Sequence, residues 1–354
     1  MQKVKSKNKK QKVFIGMSGG VDSSVSALLL KKKGYDVTGV FIKVWQPDFI
    51  ECTWKEDRRD AMRVCAELEI PFLTLDLEKE YKQGVIDYMI KEYKAGRTPN
   101  PDVFCNKEVK FGAFLNWALK NGADFVATGH YAQNKDNKLI KGKDLSKDQS
   151  YFLWTLKKEQ LKKIIFPVGH LLKSEIREIA LKNNLATAKK KDSQGLCFIG
   201  KIDVKDFLKE FIKIKKGKII DLETKKNTGT HDGVFFYTIG EKINGKYVVD
   251  KDINKNILYT SNIKSATEHK KEEIVLEQIN FTEKIKKREI YSVAERYHAE
   301  ETKIKIVSVK EDKEKGDIKI VYKLSNKDKD FLYTSGQSLV FYKNKILVGG
   351  GIMR

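Results

Sequence analysis

Lys12-Val13-Phe14-Ile15-Gly16-Met17 runs directly into Ser18-Gly19-Gly20-Val21-Asp22-Ser23-Ser24, and that junction decides the fold. The first six residues suit a buried strand, and from Val21 to Lys33 apolar residues recur at helical spacing until Gly34 ends the run. Between them, two glycines let backbone N–H groups turn toward an anion at a helix start, where the peptide dipoles also favour negative charge. Ser18, Ser23 and Ser24 add hydroxyl donors, and Asp22 is suited to hold Mg2+ beside a phosphate. No G-K-[ST] follows, so this is not a Walker loop, and the spacing is not G-x-G-x-x-G. A glycine turn with a serine cap is the plainer reading, but it leaves the order strand, S-G-G-x-D-S-S, helix unexplained.

Strand and helix patterns continue to alternate outward from this loop. Tyr35–Val44 reads as a second strand. Lys55–Glu69 has Ala61, Val64, Cys65 and Leu68 on one helical face, and Pro71 stops it before the strand Phe72–Leu75. A helix over Lys79–Lys94 is followed by a polar loop, Ala95–Asn106, whose Gly96, Pro99 and Pro101 argue against regular structure. Val109–Lys120 is helical and Asp124–Thr128 is a short strand. Such alternation predicts an α/β domain of βαβ units around a parallel sheet. A helix at Ser174–Asn183, a loop rich in Lys and Gly at Lys189–Gly200 and a helix at Val204–Ile212 come next. From about Glu272 only strands are visible, among them Ser292–Arg296, Thr302–Val309, Ile318–Leu324 and Ser338–Tyr342, which suggests a small β-barrel. The boundaries expected are a basic arm at 1–11, the α/β domain at 12–202, a small central domain at 203–270 and a C-terminal β-barrel at 271–354.

The 354 residues are 40% hydrophobic, 33% charged and 10% aromatic, the profile of a globular chain of two or three domains. Apolar runs such as Ala27–Leu30 are far too short for the roughly 30 Å of a bilayer core, so no membrane span is expected. Met1–Lys12 carries six Lys without an apolar stretch behind them, which fits a basic arm rather than a signal peptide and points to the cytoplasm. Lys and Arg number 70 against 48 Asp and Glu, and a net charge of +22 makes nucleic acid a natural partner. Only eight of the basic residues are Arg, so part of the excess is also what Lys scattered over solvated faces would give.

Cys52, Cys65, Cys105 and Cys197 form no C-x-x-C, so zinc-ribbon spacing is absent and no metal centre is assigned. A lone Cys is usually a small buried hydrophobe. That reading suits Cys52 and Cys65, the latter on the apolar face of a helix. Cys105 instead ends an irregular loop and begins a helix, with Arg97, Lys107 and Lys110 close in sequence, a setting that favours thiolate. Cys197 lies in a glycine-containing loop after Lys189, Lys190, Lys191 and Asp192. His130 follows a strand end and is either a base or a structural group, while His231 and His298 have no partner suggested by spacing.

The loop at Ser18–Ser24 resembles the signature of the PP-loop ATP pyrophosphatases (adenine nucleotide alpha hydrolase-like), which cleave ATP to AMP and pyrophosphate. Superfamily likeness alone leaves the nucleophile open among ammonia, an amine and sulfur. Two runs narrow it: A-G-R-T-P-N-P-D-V-F-C-N-K-E-V-K-F at Ala95–Phe111 and D-S-Q-G-L-C-F-I-G at Asp192–Gly200. With Ala127-Thr128-Gly129-His130-Tyr131, Lys147-Asp148-Gln149-Ser150-Tyr151, Tyr237-Thr238-Ile239-Gly240 and Gly349-Gly350-Gly351-Ile352, they make the chain similar, nearly end to end, to the tRNA-specific 2-thiouridylases.

The resemblance implies replacement of the C2 oxygen of wobble uridine (position 34) by sulfur, with Cys197 carrying a persulfide, Cys105 the thiolate that helps release it, and Asp102 beside the base. ATP with Mg2+ would lie on Gly16, Met17, Ser18, Gly19, Gly20, Val21, Asp22 and Ser23, flanked by Ile42 and Gly129. Asn100, Pro101, Asp102, Lys147, Asp148, Gln149, Arg296 and Tyr297 would touch tRNA, the substrates being those for Lys, Glu and Gln. Sulfur would come from a donor such as a cysteine desulfurase or sulfur-relay protein; either the persulfide attacks the base directly or Cys105 first releases sulfide from it, and each turnover would leave a Cys105–Cys197 disulfide to be reduced. The rival readings are a PP-loop ligase using ammonia or an amine, and a non-catalytic RNA-binding protein.

Three departures from the family pattern stand out. Phe41-Ile42-Lys43-Val44-Trp45 replaces F-M-K-N-W, Glu241-Lys242-Ile243-Asn244 replaces Q-R-K-G, and Ser335 stands where a Pro often precedes the late G-Q.

Overall fold

β1 (Lys12–Gly16) alternates no polar residue into its buried stretch, because both of its faces are covered. The computed structural model describes residues 10–49, 54–192, 203–262, 273–312, 314–324 and 333–354. They form two compact units. The first comprises the described residues of Met1–Tyr81, Asn106–Ser150 and Leu156–Gln194, and the second those of Lys82–Cys105, Tyr151–Thr155 and Gly195–Arg354.

In the first unit, β1 pairs in parallel with β2 (Asp36–Lys43), which pairs with β3 (Phe72–Asp76); on its other side lies β4 (Phe125–Ala127). β5 (Ala132–Lys135) and β6 (Lys138–Lys141) form a hairpin turned through Asp136 and Asn137, both left-handed. β7 (Ile164–Ile165) completes a parallel sheet in the order β3-β2-β1-β4-β7. The chain leaves β1 toward β2 on one side and later reaches β4 on the other. The carboxyl end of β1 is therefore a topological switch point, where open α/β sheets bind ligands.

Val13 and Ile15 of β1, Val25 and Leu28 of the helix Val21–Lys32, Val64 and Cys65 of the helix Trp54–Glu67, and Ile176 of the helix Lys173–Lys182 share one core. Cys65 is part of that packing. A Cβ at Gly39 of β2 would collide with its Sγ, so only glycine lets strand and helix approach this closely, and burial pushes the Cys65 thiol up to about 12.

The expected helix over Lys79–Lys94 is present as Glu78–Tyr81, wider π-type turns over Lys82–Asp87, and Tyr88–Lys94. The expectation of an irregular loop over all of Ala95–Asn106 is corrected. Pro101–Phe104 is helical and Cys105 opens the π-type segment Cys105–Phe114. Asn100 causes this: its Oδ1 accepts from the N–H groups of Asp102 (3.1 Å) and Val103 (3.3 Å). Pro101 at the first helical position has no N–H to lose, so it begins the helix instead of preventing it.

The second unit contains a small sheet and a barrel. β8 (Gly217–Asp221), β9 (Asn227–His231), β10 (Lys242–Ile243), β11 (Lys246–Asp252) and β12 (Ile257–Ser261) are ordered β10-β11-β12-β8-β9, with Val234, Val248 and Leu258 at their core. β13 (Glu273–Phe281), β14 (Ile290–Ala294), β15 (Thr302–Asp312), β16 (Asp317–Leu324), β17 (Ser338–Lys343) and β18 (Ile346–Met353) follow in the order β13-β16-β15-β14-β17-β18. Pairing of β13 with β18 joins the ends of this row into the expected barrel. A Cβ at Gly350 would come within 2.7 Å of the Leu339 carbonyl oxygen and 3.1 Å of the Trp154 ring, which explains a glycine run in a barrel strand.

Candidate functional site

The phosphate loop is held by its own hydroxyls. Ser18 N donates to Ser23 Oγ at 3.2 Å, Ser23 Oγ donates to the Gly20 carbonyl at 3.0 Å, and Ser24 Oγ donates to the same carbonyl at 2.8 Å. Gly19 has φ +72° and passes so close to the Asp57 carbonyl that no side chain fits. Gly20 is the N-cap of the helix Val21–Lys32 and supplies no side-chain acceptor, so the first turn keeps N–H donors for an external anion. Gly129 follows β4, and a Cβ there would lie 2.8 Å from Ser23 N, so glycine is required for this approach too. Ile42 is buried near the carboxyl end of β2.

Asp22 does not stand alone beside the loop. The Tyr131 hydroxyl donates to its Oδ1 at 2.7 Å, and Lys173 Nζ lies 2.7 and 2.9 Å from its two oxygens. Burial and then the charge of Asp22 raise the pKa of Tyr131, so the phenol stays protonated and keeps donating. Lys173 also pairs with Asp192 at 2.9 Å, and Asp192 in turn meets Arg177 at 2.6 Å and Lys147 at 3.3 Å. Burial works against the Asp192 carboxylate, but Lys173 and Lys147 outweigh it and hold its pKa below the ordinary value. The stretch leading to Asp192 is fastened beside the same loop. Thr187 Oγ1 donates to Ser24 Oγ at 2.9 Å, Arg177 donates to the carbonyls of Ala188 and Lys190, and Lys190 Nζ pairs with Asp57 and Asp60 at 2.7 and 2.6 Å.

Lys147, Asp148 and Gln149 divide between solvent and structure. Asp148 accepts from Gly142 N at 2.8 Å and from the Ser150 hydroxyl at 2.8 Å, and burial raises its pKa. Gln149 exchanges two hydrogen bonds with the backbone of Tyr131, N to O at 2.9 Å and Oε1 from N at 3.0 Å. His130 is buried between Phe111 and Phe166 with Nδ1 2.8 Å from Thr128 Oγ1; burial and Lys110 push its pKa well down, so it is neutral.

In the second unit, the Arg97–Phe104 segment is built into the barrel and the small sheet. Thr98 N donates to the Ser335 carbonyl at 2.9 Å, and Gln337 Nε2 donates to the Thr98 carbonyl at 2.8 Å. That bond uses the carbonyl of residue 335, which serine supplies as well as proline. Arg97 pairs with Glu92 at 2.5 Å and Glu277 at 3.5 Å, and Phe104 stacks on Tyr88 at 3.7 Å. Gly96, with φ +74°, sits hard against Ile253, and Thr98 Oγ1 is 3.4 Å from Thr238 Oγ1. Glu241, where the family pattern has Gln, accepts from Thr238 N at 2.9 Å, a bond that either side chain can make. Cys105 is fully buried. Arg296 donates to the Ile239 carbonyl and to Thr334 Oγ1 at 3.0 Å, and Tyr297 packs on Phe152 at 4.3 Å and His298 at 3.9 Å. Cys52 and Cys197 lie outside the described residues.

Family models match nearly the whole chain: the tRNA methyl transferase HUP domain over 11–201, the tRNA methyl transferase PRC-barrel domain over 205–262 and the aminomethyltransferase beta-barrel domain over 271–353. A tRNA-specific 2-thiouridylase of Streptococcus thermophilus is 44% identical over 98% of this chain and 96% of its own. The chain belongs to the tRNA-specific 2-thiouridylase family. The Oceanobacillus iheyensis 2-thiouridylase is 43% identical over 97% of this chain and 95% of its own, and that of Alkaliphilus oremlandii is 52% identical over 72% and 74%. Among solved structures, the U34-tRNA thiolase NcsA from Methanococcus maripaludis is 21% identical with a TM-score of 0.37, covering 57% of this chain and 66% of its own.

For a 2-thiouridylase-family chain, the network around Asp22 is the part that sequence reading missed. Tyr131 stood in a quoted motif without a role, and Lys173 is one Lys among 62, with nothing in its neighbours to distinguish it. Thr238 and Gln337 likewise stood in family motifs without a role, because their partners lie more than a hundred residues away. Among the described residues, no group of three or more His, Cys, Asp or Glu could hold a metal ion, and no helix is long and apolar enough to cross a membrane.

Proposed function

We propose that this chain is an ATP-dependent tRNA sulfurtransferase that converts uridine 34 to 2-thiouridine. The observation that carries the reading is the phosphate loop at the switch point of the parallel sheet, with helix N–H donors left for an anion, in a chain of this family. ATP binds over Gly16–Ser23 with its adenosine near Ile42 and Gly129. Mg2+ arrives with the nucleotide; Asp22 is the carboxylate suited to meet it, once the triphosphate takes over Lys173.

The uridine C2 oxygen is a poor leaving group. It attacks the α-phosphorus of ATP, pyrophosphate departs, and the oxygen becomes part of AMP. The terminal sulfur of a Cys197 persulfide then attacks C2 and AMP leaves with its electron pair. The Cys105 thiolate attacks the Cys197 sulfur, breaking the S–S bond so that its electrons form C2=S. The products are 2-thiouridine and a Cys105–Cys197 disulfide, which a two-electron dithiol reductant reopens. Asp102, on the turn capped by Asn100, accepts a proton at the base.

The net charge of +22 supports binding of tRNA phosphates through Lys, with the tRNAs for Lys, Glu and Gln as substrates. The sulfur donor is a persulfide-bearing protein such as a cysteine desulfurase or relay protein, and the cell compartment is the cytoplasm. The test is mass spectrometry of Cys197→Ser and Cys105→Ser after sulfur loading, with single-turnover thiolation alongside. Cys197→Ser loses both the persulfide and thiouridine. Cys105→Ser keeps the persulfide on Cys197 and tRNA-dependent pyrophosphate release but makes no thiouridine. A persulfide found only on Cys105, or full activity in either variant, overturns these roles.

A further inference from the structure

The phosphate loop and the Lys147–Gln149 segment meet in one ion-paired network. Lys173 lies between the carboxylates of Asp22 (2.7 Å) and Asp192 (2.9 Å), and its side chain is only 15% exposed. Asp192 divides itself between that cation, Arg177 and the more exposed Lys147. Lys147 is partly exposed and lies 3.3 Å from Asp192, whereas Lys173 stands over Asp22 in the loop. Arg177 is already committed to two backbone carbonyls, so it fixes the place of Asp192 while the two lysines compete for its charge. Phosphate oxygens arriving at either lysine face the same competitor.

We propose that Asp192 is a positioning residue for the thiolation reaction: it aims Lys173 at the triphosphate site and Lys147 at RNA, and by sharing its charge it makes each cation's hold on phosphate depend on the other. This rests on the reading above that ATP occupies the loop and that Lys147 faces tRNA. A carboxylate that orients a cation also weakens that cation's ground-state grip on an anion. Its loss should therefore tighten binding while slowing turnover, the signature of a removed restraint rather than of a damaged site. Loss of Lys147 should have the reverse effect on nucleotide. With one cation gone, Asp192 turns fully to Lys173 and holds it against the incoming phosphates, although Lys147 touches no nucleotide.

The test uses the full chain with α,β-methylene ATP and Mg2+, titrated without tRNA, and single-turnover thiolation with preloaded persulfide. Asp192→Asn should bind the analogue at least as tightly as wild type and lose about tenfold in thiolation rate, and Asp192→Glu should restore much of the rate. Lys147→Met, at a partly exposed position, should weaken analogue binding at least twofold. Analogue binding weakened threefold or more in Asp192→Asn, an unchanged thiolation rate there, or unchanged analogue affinity in Lys147→Met overturns the proposal. The nucleotide titrations need neither tRNA nor sulfur. Failure of wild type to bind the analogue at all would instead sink the ATP reading itself.

Discussion

Tyr131 donates its phenolic hydrogen to Asp22 Oδ1 at 2.7 Å, joining the residue that follows His130 to the phosphate loop 109 positions earlier. The same residue holds Gln149 by two hydrogen bonds to its own backbone, so one side chain and its peptide groups touch both the Ser18–Ser24 loop and the Lys147–Gln149 segment. A hydrogen bond to a charged group contributes about 1.5–3 kcal/mol. Tyr131→Phe keeps the ring and the Gln149 pairing but removes one of the two donors at Asp22 Oδ1 and leaves that oxygen to Lys173. Pyrophosphate release with tRNA is expected to fall about tenfold, while tRNA affinity stays within twofold. Equal activity in the variant would leave the hydroxyl without a role.

The Asn100 cap yields a second expectation. Its Oδ1 satisfies two N–H groups of the turn bearing Asp102 and Val103, and loss of such a cap costs about 1 kcal/mol. Asn100→Ala should lower thiolation more than it lowers pyrophosphate release, because the turn presents Asp102 and leads to Cys105. Asn100→Asp keeps an acceptor and should restore the folding part of the loss, read from a urea midpoint.

Gly39 and Cys65 test the packing of the first unit. A methyl group at Gly39 would strike Cys65 Sγ, and overpacking of this kind costs about 1–3 kcal/mol. Gly39→Ala should lower the urea midpoint, and adding Cys65→Ala should recover part of it. With its thiol held up at about 12, Cys65 should also resist alkylation in the native protein at pH 8. Rapid labelling of Cys65 before unfolding would contradict its place in the core.

His130 sets a pH dependence. Burial, with Lys110, depresses its folded pKa well below the ordinary value of 6.5, so the folded protein binds fewer protons than the unfolded chain in acid. The stability this group contributes is present above about pH 6.5 and is lost as pH falls below it. His130→Asn, which cannot titrate, should show a smaller drop in urea midpoint between pH 7.5 and pH 5.5 than wild type. Identical drops would mean that His130 takes up its proton without cost.

Binding of tRNA should weaken linearly in a log–log plot against salt, since each Lys–phosphate contact releases counterions. Affinity measured by filter retention from 50 to 300 mM salt, with ATP left out so that no turnover occurs, provides the slope. A flat line would leave the +22 charge as composition rather than function.

What the sequence by itself determined was local. Strand, S-G-G-x-D-S-S and helix follow one another in the order that suits a phosphate loop, and the period-two and period-3.6 patterns placed the parallel sheet and the barrel strands to within a few residues. Pro101 misled because proline punctuates a chain both as a breaker and as a first helical residue, and the choice depends on whether the residue before it caps. Tertiary structure alone decided which Lys among 62 stands over Asp22, which carbonyl Gln337 holds, and that Arg296 turns inward to Ile239 and Thr334. The physical reason is range. Backbone preference and hydrophobic period are set by neighbours a few positions away. A hydrogen bond or ion pair is set by distance in space, and here it joins residues 38 to 239 positions apart, about which the intervening sequence carries no periodic signal.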